Sequence, residues 1–176
     1  MDGLGKRLAR GEQAAFAELY DACADRIFHY LMVRLRSHDD AADVLQETFV
    51  RLVRTRKRLA KVDNPIAYAF TVARNEAARL AGRQSRETAG RSELVGSGLF
   101  VQMVGDDAPG HETADLAAAA LVRLDPDHRE VLQLKTYAGL TFREIAEVTG
   151  LPQGTVATRY RTAIEKLRAW LAKEAS

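Results

Sequence analysis

Apolar positions recur at helical spacing along most of the chain, and polar positions fill the opposite faces. In "FAELYDACADRIFHYLMVRL" the residues Phe16, Leu19, Tyr20, Ile27, Phe28, Leu31 and Leu35 mark the core stripe of an amphipathic helix. "HDDAADVLQETFVRLVRTRKRL" follows. It carries one stripe of Ala41, Leu45, Thr48 and Leu52 and a mixed face of Asp43, Gln46, Glu47, Val50 and Arg54. Asp39 or Asp40 is expected to cap it, because a carboxylate there meets the positive end of the helix dipole. A turn at Pro65 then opens a third helix, "DNPIAYAFTVARNEAARLAGR". Strand signals are almost absent, so the fold class is all-α.

The stretch from Tyr137 to Leu167 holds two helices in close succession. Thr141 and Glu144 form a capping box, in which each side chain satisfies a backbone donor of the other. Gly150 ends the first helix, since a C-terminal cap needs the left-handed conformation. Pro152 starts the second, as proline is tolerated in a first turn. Val156, Tyr160, Ala163, Ile164, Leu167 and Leu171 form its buried stripe. At about 100° per residue, Thr158, Arg161 and Glu165 lie opposite, with Thr155 and Thr162 on one flank and Ala157 and Arg168 on the other. Two helices joined by a tight turn match a helix-turn-helix, whose second helix enters the DNA major groove. An ordinary helical hairpin with a solvated outer face is the alternative.

Between residues 84 and 113 the period fades, and five of the twelve glycines gather there. That composition reads as a linker. It divides the chain into two small helical domains, residues 6–83 and 114–173. Charge follows the same division. Residues 1–80 carry 14 basic and 11 acidic side chains, residues 81–115 carry 3 and 6, and residues 116–176 carry 9 and 7. Two mildly basic lobes thus flank an acidic connector, either a solvated tether or a segment lying where nucleic acid would run. The net charge of +2 excludes a polybasic coat. The single cysteine, Cys23, packs in a helix, allows no internal disulfide and fits a reducing compartment. No secretory segment or apolar run of about 18 residues appears, so a cytoplasmic protein without membrane insertion is expected.

Chemistry-bearing motifs are few. The four histidines are scattered, and "HETAD" (His111, Glu112, Asp115) lacks metal-site spacing, so no metal, cofactor or catalytic residue is expected. A basic cluster of Arg51, Arg54, Arg56, Lys57, Arg58 and Lys61 contains no acid. The next helix mixes Tyr68 and Phe70 with Arg74, Asn75, Arg79 and Arg83. Such interleaving suits single-stranded nucleic acid, whose bases stack and whose phosphates pair with cations. Equally, Phe70 and Val72 could be core and the arginines surface.

Taken in order, "AFAELYD", "DDAADVLQETFVRL", "NPIAYAFTVARNEAARL" and "LDPDHREVLQLKTYAGLTFREIAEVTGLPQGTVATRYRTAIEKLR" resemble an extracytoplasmic-function (ECF) sigma factor. These are the small sigma-70-family specificity subunits of bacterial RNA polymerase. The resemblance runs from about Gly11 to Leu171, apart from the linker. It implies that Asp43, Gln46, Glu47, Phe49 and Val53 dock on the clamp helices of the polymerase largest subunit. It implies a minus-10 site in which Asn75 contacts a flipped base, Tyr68, Arg74, Arg79 and Arg83 stack or meet phosphates, and the loop Lys61 to Asn64 completes the pocket. Flipping costs a few kcal/mol of stacking, which those contacts must offset.

In the second domain the resemblance implies minus-35 reading by Thr158, Arg161 and Thr162, with Thr155 beside them and phosphate contacts from Arg143, Arg159 and Lys166. Promoter DNA, core polymerase and an anti-sigma factor are the partners it implies. There are departures. Many relatives carry Trp at Tyr68, Asp at Arg79, Lys or Arg at Ala157, and Ser at Pro152, which bears on promoter sequence. Six residues follow Trp170, so no C-terminal regulatory domain is expected. The alternatives are a stand-alone helix-turn-helix regulator, or a helical adaptor that binds no DNA.

Overall fold

A computed structural model describes residues 3–87 and 119–174, and among these there is helix and turn but no strand. The helices are α1 (Leu4–Ala9), α2 (Gln13–Leu35), α3 (His38–Arg54), α4 (Pro65–Glu87), α5 (Pro126–Thr136), α6 (Phe142–Thr149) and α7 (Gln153–Glu174). A 3-10 helix, Arg56–Lys61, joins α3 to the loop before α4, and a helical turn at 119–123 precedes α5. The chain divides into two compact units, one holding α1–α4 and the other holding α5, α7 and residues 142–146 of α6. Residues 84–87, read as the start of the linker, continue α4. The rest of that segment, with "HETAD", lies outside the described residues.

In the first unit α2, α3 and α4 pack against one another around Leu19, Ile27, Tyr30, Leu31, Leu52 and Phe70, all fully buried. Tyr30 and Phe70 meet edge-on with centroids 6.3 Å apart, a favoured aromatic geometry. Phe70 and Val72 are therefore core, as one of the two readings of α4 had it. Tyr20 leaves the expected stripe. The buried face of α2 runs through Leu19, Cys23, Ile27 and Tyr30–Leu31, and Tyr20, one residue from Leu19, turns outward with 49% exposure. The cap of α3 is Ser37 and not Asp39 or Asp40. Its hydroxyl accepts from the Asp40 N–H at 3.2 Å, while both aspartates lie in the first turn. Serine reaches that donor because it stands one residue before the helix, where a cap must be.

In the second unit Leu124, Leu132 and Ala163 form a core with Leu121, Tyr160, Ile164 and Leu167 against it. Leu171, expected in this stripe, is 39% exposed, while its neighbour Trp170 packs its ring under Arg123 at 4.8 Å. Arg129 ends the turn at 119–123 by donating to the carbonyls of Leu121, Val122 and Leu124 at 2.6–2.8 Å. The Thr141–Glu144 capping box forms in full, and Gly150 takes φ 73° as the C-cap of α6.

Candidate nucleic-acid and protein interfaces

The outer ridge of α3 separates two unlike grooves. On the α2 side, Gln46, Phe49 and Val53 join Tyr20, Phe28, Leu45 and Val50 around an apolar groove of about 680 Å³. The rings of Tyr20 and Phe49 stack at a tilt, 4.8 Å apart. On the α4 side, Asp43 and Glu47 line a polar crevice of about 410 Å³ with Asp40, Glu76, Arg79 and Arg83. The expected docking residues are thus split, with Phe49 and Val53 one turn apart on one slope and Asp43 and Glu47 one turn apart on the other. Sequence reading missed Tyr20, Phe28 and Leu45 as groove residues, because each was assigned to the core by its period. The apolar Val50 in an otherwise polar face was the available signal.

Glu76 was also missed. Its side chain is 8% exposed, yet it sits on α4 between two arginines. Arg51 Nε of α3 donates to one carboxylate oxygen at 2.7 Å, and Arg79 Nη1 reaches the other at 3.0 Å. A buried carboxylate needs such partners, since desolvation without them costs far more than the pair returns. Arg51 therefore belongs to a clasp between helices, and the basic run from Arg51 to Lys61 is not one patch. Arg54 borders the apolar groove, while Lys57, Arg58 and Lys61 are exposed.

On α4 the spacing of Tyr68, Asn75 and Arg79 brings them to one face, where Asn75 and Arg79 are exposed and Tyr68 is half-buried. Arg83 is exposed a turn beyond Arg79. Arg74 is half-buried on the flank, about 100° from Asn75. Asn64 is the N-cap of α4. Its side-chain oxygen accepts from the Ala67 N–H at 3.1 Å, which uses one of its two lone pairs and leaves the NH₂ donors. Lys61 is exposed at the end of the 3-10 helix.

The outward face of α7 carries Gly154, Thr158, Arg161 and Glu165, all exposed. Thr158 donates to the Gly154 carbonyl at 3.0 Å, and Arg161 Nε leans back to the Ala157 carbonyl at 3.4 Å. Nothing stands within 4 Å of where a Cβ on Gly154 would lie, so the helix start is open to close approach. Thr155 and Thr162 are half-buried on the flank. Two expected phosphate contacts turn elsewhere. Arg159 pairs with Asp127 at 2.9 Å, and Lys166 donates to Asp125 at 2.6 Å, so both tie α7 to the start of α5. The Lys166 hydrogen bond holds the Asp125 carboxyl below its ordinary range. Arg143, on α6, is exposed.

Two ionisable side chains, Cys23 and Tyr137, are held in their neutral forms by burial. Burial pushes the Cys23 thiol up to about 12, and it donates to the Leu19 carbonyl at 3.0 Å. Burial likewise pushes Tyr137 up to about 12. Among the described residues no cluster of three or more His, Cys, Asp or Glu is placed to hold a metal, and no helix is long and apolar enough to cross a membrane.

Residues 19–87 match sigma-70 region 2, and residues 120–169 match sigma-70 region 4. The chain is 32% identical over 166 residues to the RNA polymerase sigma factor CarQ of Myxococcus xanthus, covering 94% of each. It is 32% identical over 168 residues to the ECF RNA polymerase sigma factor SigL of Mycobacterium tuberculosis, covering 93% of this chain and 92% of SigL. Two solved structures share its fold at 23% identity. CnrH, solved with the cytosolic domain of CnrY, gives a TM-score of 0.71 over 97% of this chain and 96% of its own. RpoE of Bartonella quintana, solved with the anti-sigma factor NepR, gives 0.67 over 89% and 96%. A stand-alone helix-turn-helix regulator is not favoured, because it leaves the region 2 match without a purpose. The chain belongs to the sigma-70 family and is an ECF sigma factor of transcription initiation, with a region 2 unit followed by a region 4 unit.

Proposed function

We propose that this protein acts in the cytoplasm as a non-enzymatic specificity subunit that carries core RNA polymerase to promoters. The ridge of α3, with Asp43, Gln46, Glu47, Phe49 and Val53, docks on the clamp helices of the largest subunit. Tyr20 extends that surface as an aromatic anchor. Lys61, Asn64, Tyr68, Arg74, Asn75, Arg79 and Arg83 form the minus-10 site. Thr155, Thr158, Arg161 and Thr162 form the minus-35 surface with Arg143. Arg159 and Lys166 act there by holding α7 in place. An anti-sigma factor that covers these surfaces completes the partner set.

The observation that carries this reading is the division of labour on α7. Its cationic flank is engaged by Asp125 and Asp127, while Thr158 and Arg161 face outward beside an open helix start. A helix so arranged presents donors of the kind that read guanine and adenine edges in the major groove.

The test compares the protein alone with the protein bound to core polymerase, on a labelled promoter duplex at fixed salt. Sequence-selective binding only in the presence of core supports the reading. Tight, selective duplex binding by a dimer of the protein without core would replace it with a self-sufficient regulator.

A further inference from the structure

We propose that Gly5, on α1, is a positioning residue for the loop that precedes α4. The proposal rests on the reading above, in which residues 61–64 help form the minus-10 site.

Gly5 sits inside a six-residue helix, where glycine is a poorer helix former than alanine. Space explains its presence. A Cβ at this position would stand 2.5 Å from the Leu59 carbonyl oxygen and 3.1 Å from the Val62 carbonyl oxygen. Both atoms are backbone, so no side chain can swing aside. The helix backbone thus lies directly against the segment that leads into the loop.

That segment has little support of its own. Arg56–Lys61 is a 3-10 helix, whose hydrogen bonds are poorer than those of an α-helix. Leu59 and Leu8 are both fully buried where α1 meets it. The seat is itself anchored, since Arg7 of α1 pairs with Glu12 at 3.2 Å and with Glu18 of α2 at 2.7 Å. Two residues after Val62, Asn64 caps α4. A shift at Leu59–Val62 therefore passes straight into Lys61–Asn64. The α1 residues precede the stretch that matches region 2, residues 19–87.

The test transcribes minus-10 and minus-35 promoter libraries with core polymerase and full-length variants. Misplacing a positioned group by about 1 Å can cost about 10²-fold. Gly5→Ala should therefore reduce discrimination at minus-10 positions by about tenfold or more, with core affinity and the minus-35 profile at wild-type values. Gly3→Ser, at the N-cap of α1 where serine is preferred and where a new Cβ meets nothing within 4 Å, should match wild type in both libraries. A Gly5→Ala minus-10 profile that coincides with wild type overturns the proposal, and so does an equal loss in both libraries. If Gly5→Ala does not fold, Leu8→Val loosens the seat without adding an atom against the loop. It should shift the minus-10 profile alone, and no shift overturns the proposal.

A triple alanine variant at Lys61, Val62 and Asp63 separates the two levels. If it changes the minus-10 profile and Gly5→Ala does not, the loop reading stands and the seat fails. If it changes nothing, the loop reading fails and takes the seat with it.

Discussion

Arg51 on α3 donates to the buried carboxylate of Glu76 on α4 at 2.7 Å, joining the helix proposed to dock on polymerase to the helix proposed to read the minus-10 element. Arg79 holds the same carboxylate, so one acidic group organises two cations. Arg51 and Arg79 are 41% and 56% exposed, and water can take them back when Glu76 is lost. Glu76→Ala should therefore cost about 1–3 kcal/mol, less than the loss of a fully buried pair. Urea unfolding of the variant should show a lower midpoint with an unchanged slope. An unchanged midpoint would mean that the clasp contributes nothing to stability.

The apolar slope of α3 gives a prediction that separates binding from folding. Tyr20 is 49% exposed, so Tyr20→Ala should change stability by less than about 1 kcal/mol. If the Tyr20–Phe49 pair is an anchor in the polymerase interface, the same change should weaken core binding by about 2 kcal/mol or more. Glu47→Lys, on the opposite slope, should weaken core binding by about 2–5 kcal/mol with the fold intact, provided the contact is buried on binding. Competition binding against the wild-type protein measures both. Wild-type affinity in both variants would remove the α3 ridge from the interface.

Arg159 and Arg161 stand two residues apart on α7 and should fail in different ways. Arg161 is exposed and Arg159 pairs with Asp127. Arg161→Ala should keep the melting temperature and lose about 1–3 kcal/mol of discrimination at one or two minus-35 positions. Arg159→Ala should lower the stability of the region 4 unit slightly and weaken all promoters alike. A minus-35 library transcribed with each variant reads the difference. Coinciding preference profiles for Arg161→Ala and wild type would show that Arg161 does not read bases.

Cys23 gives a prediction in pH. Its thiol is pushed up to about 12 by burial, against about 8.5 for a free thiol. The unfolded chain therefore loses this proton first as pH rises. Stability from this group is complete below about pH 8.5 and is lost progressively toward pH 12. Native alkylation at pH 8 should be slower than in the unfolded chain by on the order of 10³-fold, since the thiolate is the nucleophile. Cys23→Ala should flatten the alkaline loss of stability. Rapid alkylation of the folded protein would contradict the burial.

Much of this was legible in the sequence because it depends on local rules. The Thr141–Glu144 box and the Gly150 cap follow from side chains a few residues apart, and both formed as read. The stripes of α2 and α7 were legible through most of their length. They failed at Tyr20 and Leu171, since period fixes a direction around the helix but not whether a neighbour covers it. The Glu76 clasp was illegible for a related reason. Its partner Arg51 lies 25 positions away, and only the packing of α3 on α4 makes a glutamate in "ARNEAAR" a buried one. Likewise Arg159 and Lys166 read as free cations until α5 brings Asp127 and Asp125 to them. Family resemblance supplied the roles of α3 and α4, whose faces in isolation resemble solvated surface.

The most direct measurement of the central claim is run-off transcription with purified core polymerase and genomic DNA. The account predicts discrete transcripts that require this protein and share common minus-35 and minus-10 elements. It also predicts that Asn75→Ala suppresses those transcripts and reduces permanganate-reactive thymines near minus-10, while core affinity is retained, because alanine cannot hydrogen-bond a flipped base edge. An absence of protein-dependent transcripts from a polymerase shown to be active would contradict the account.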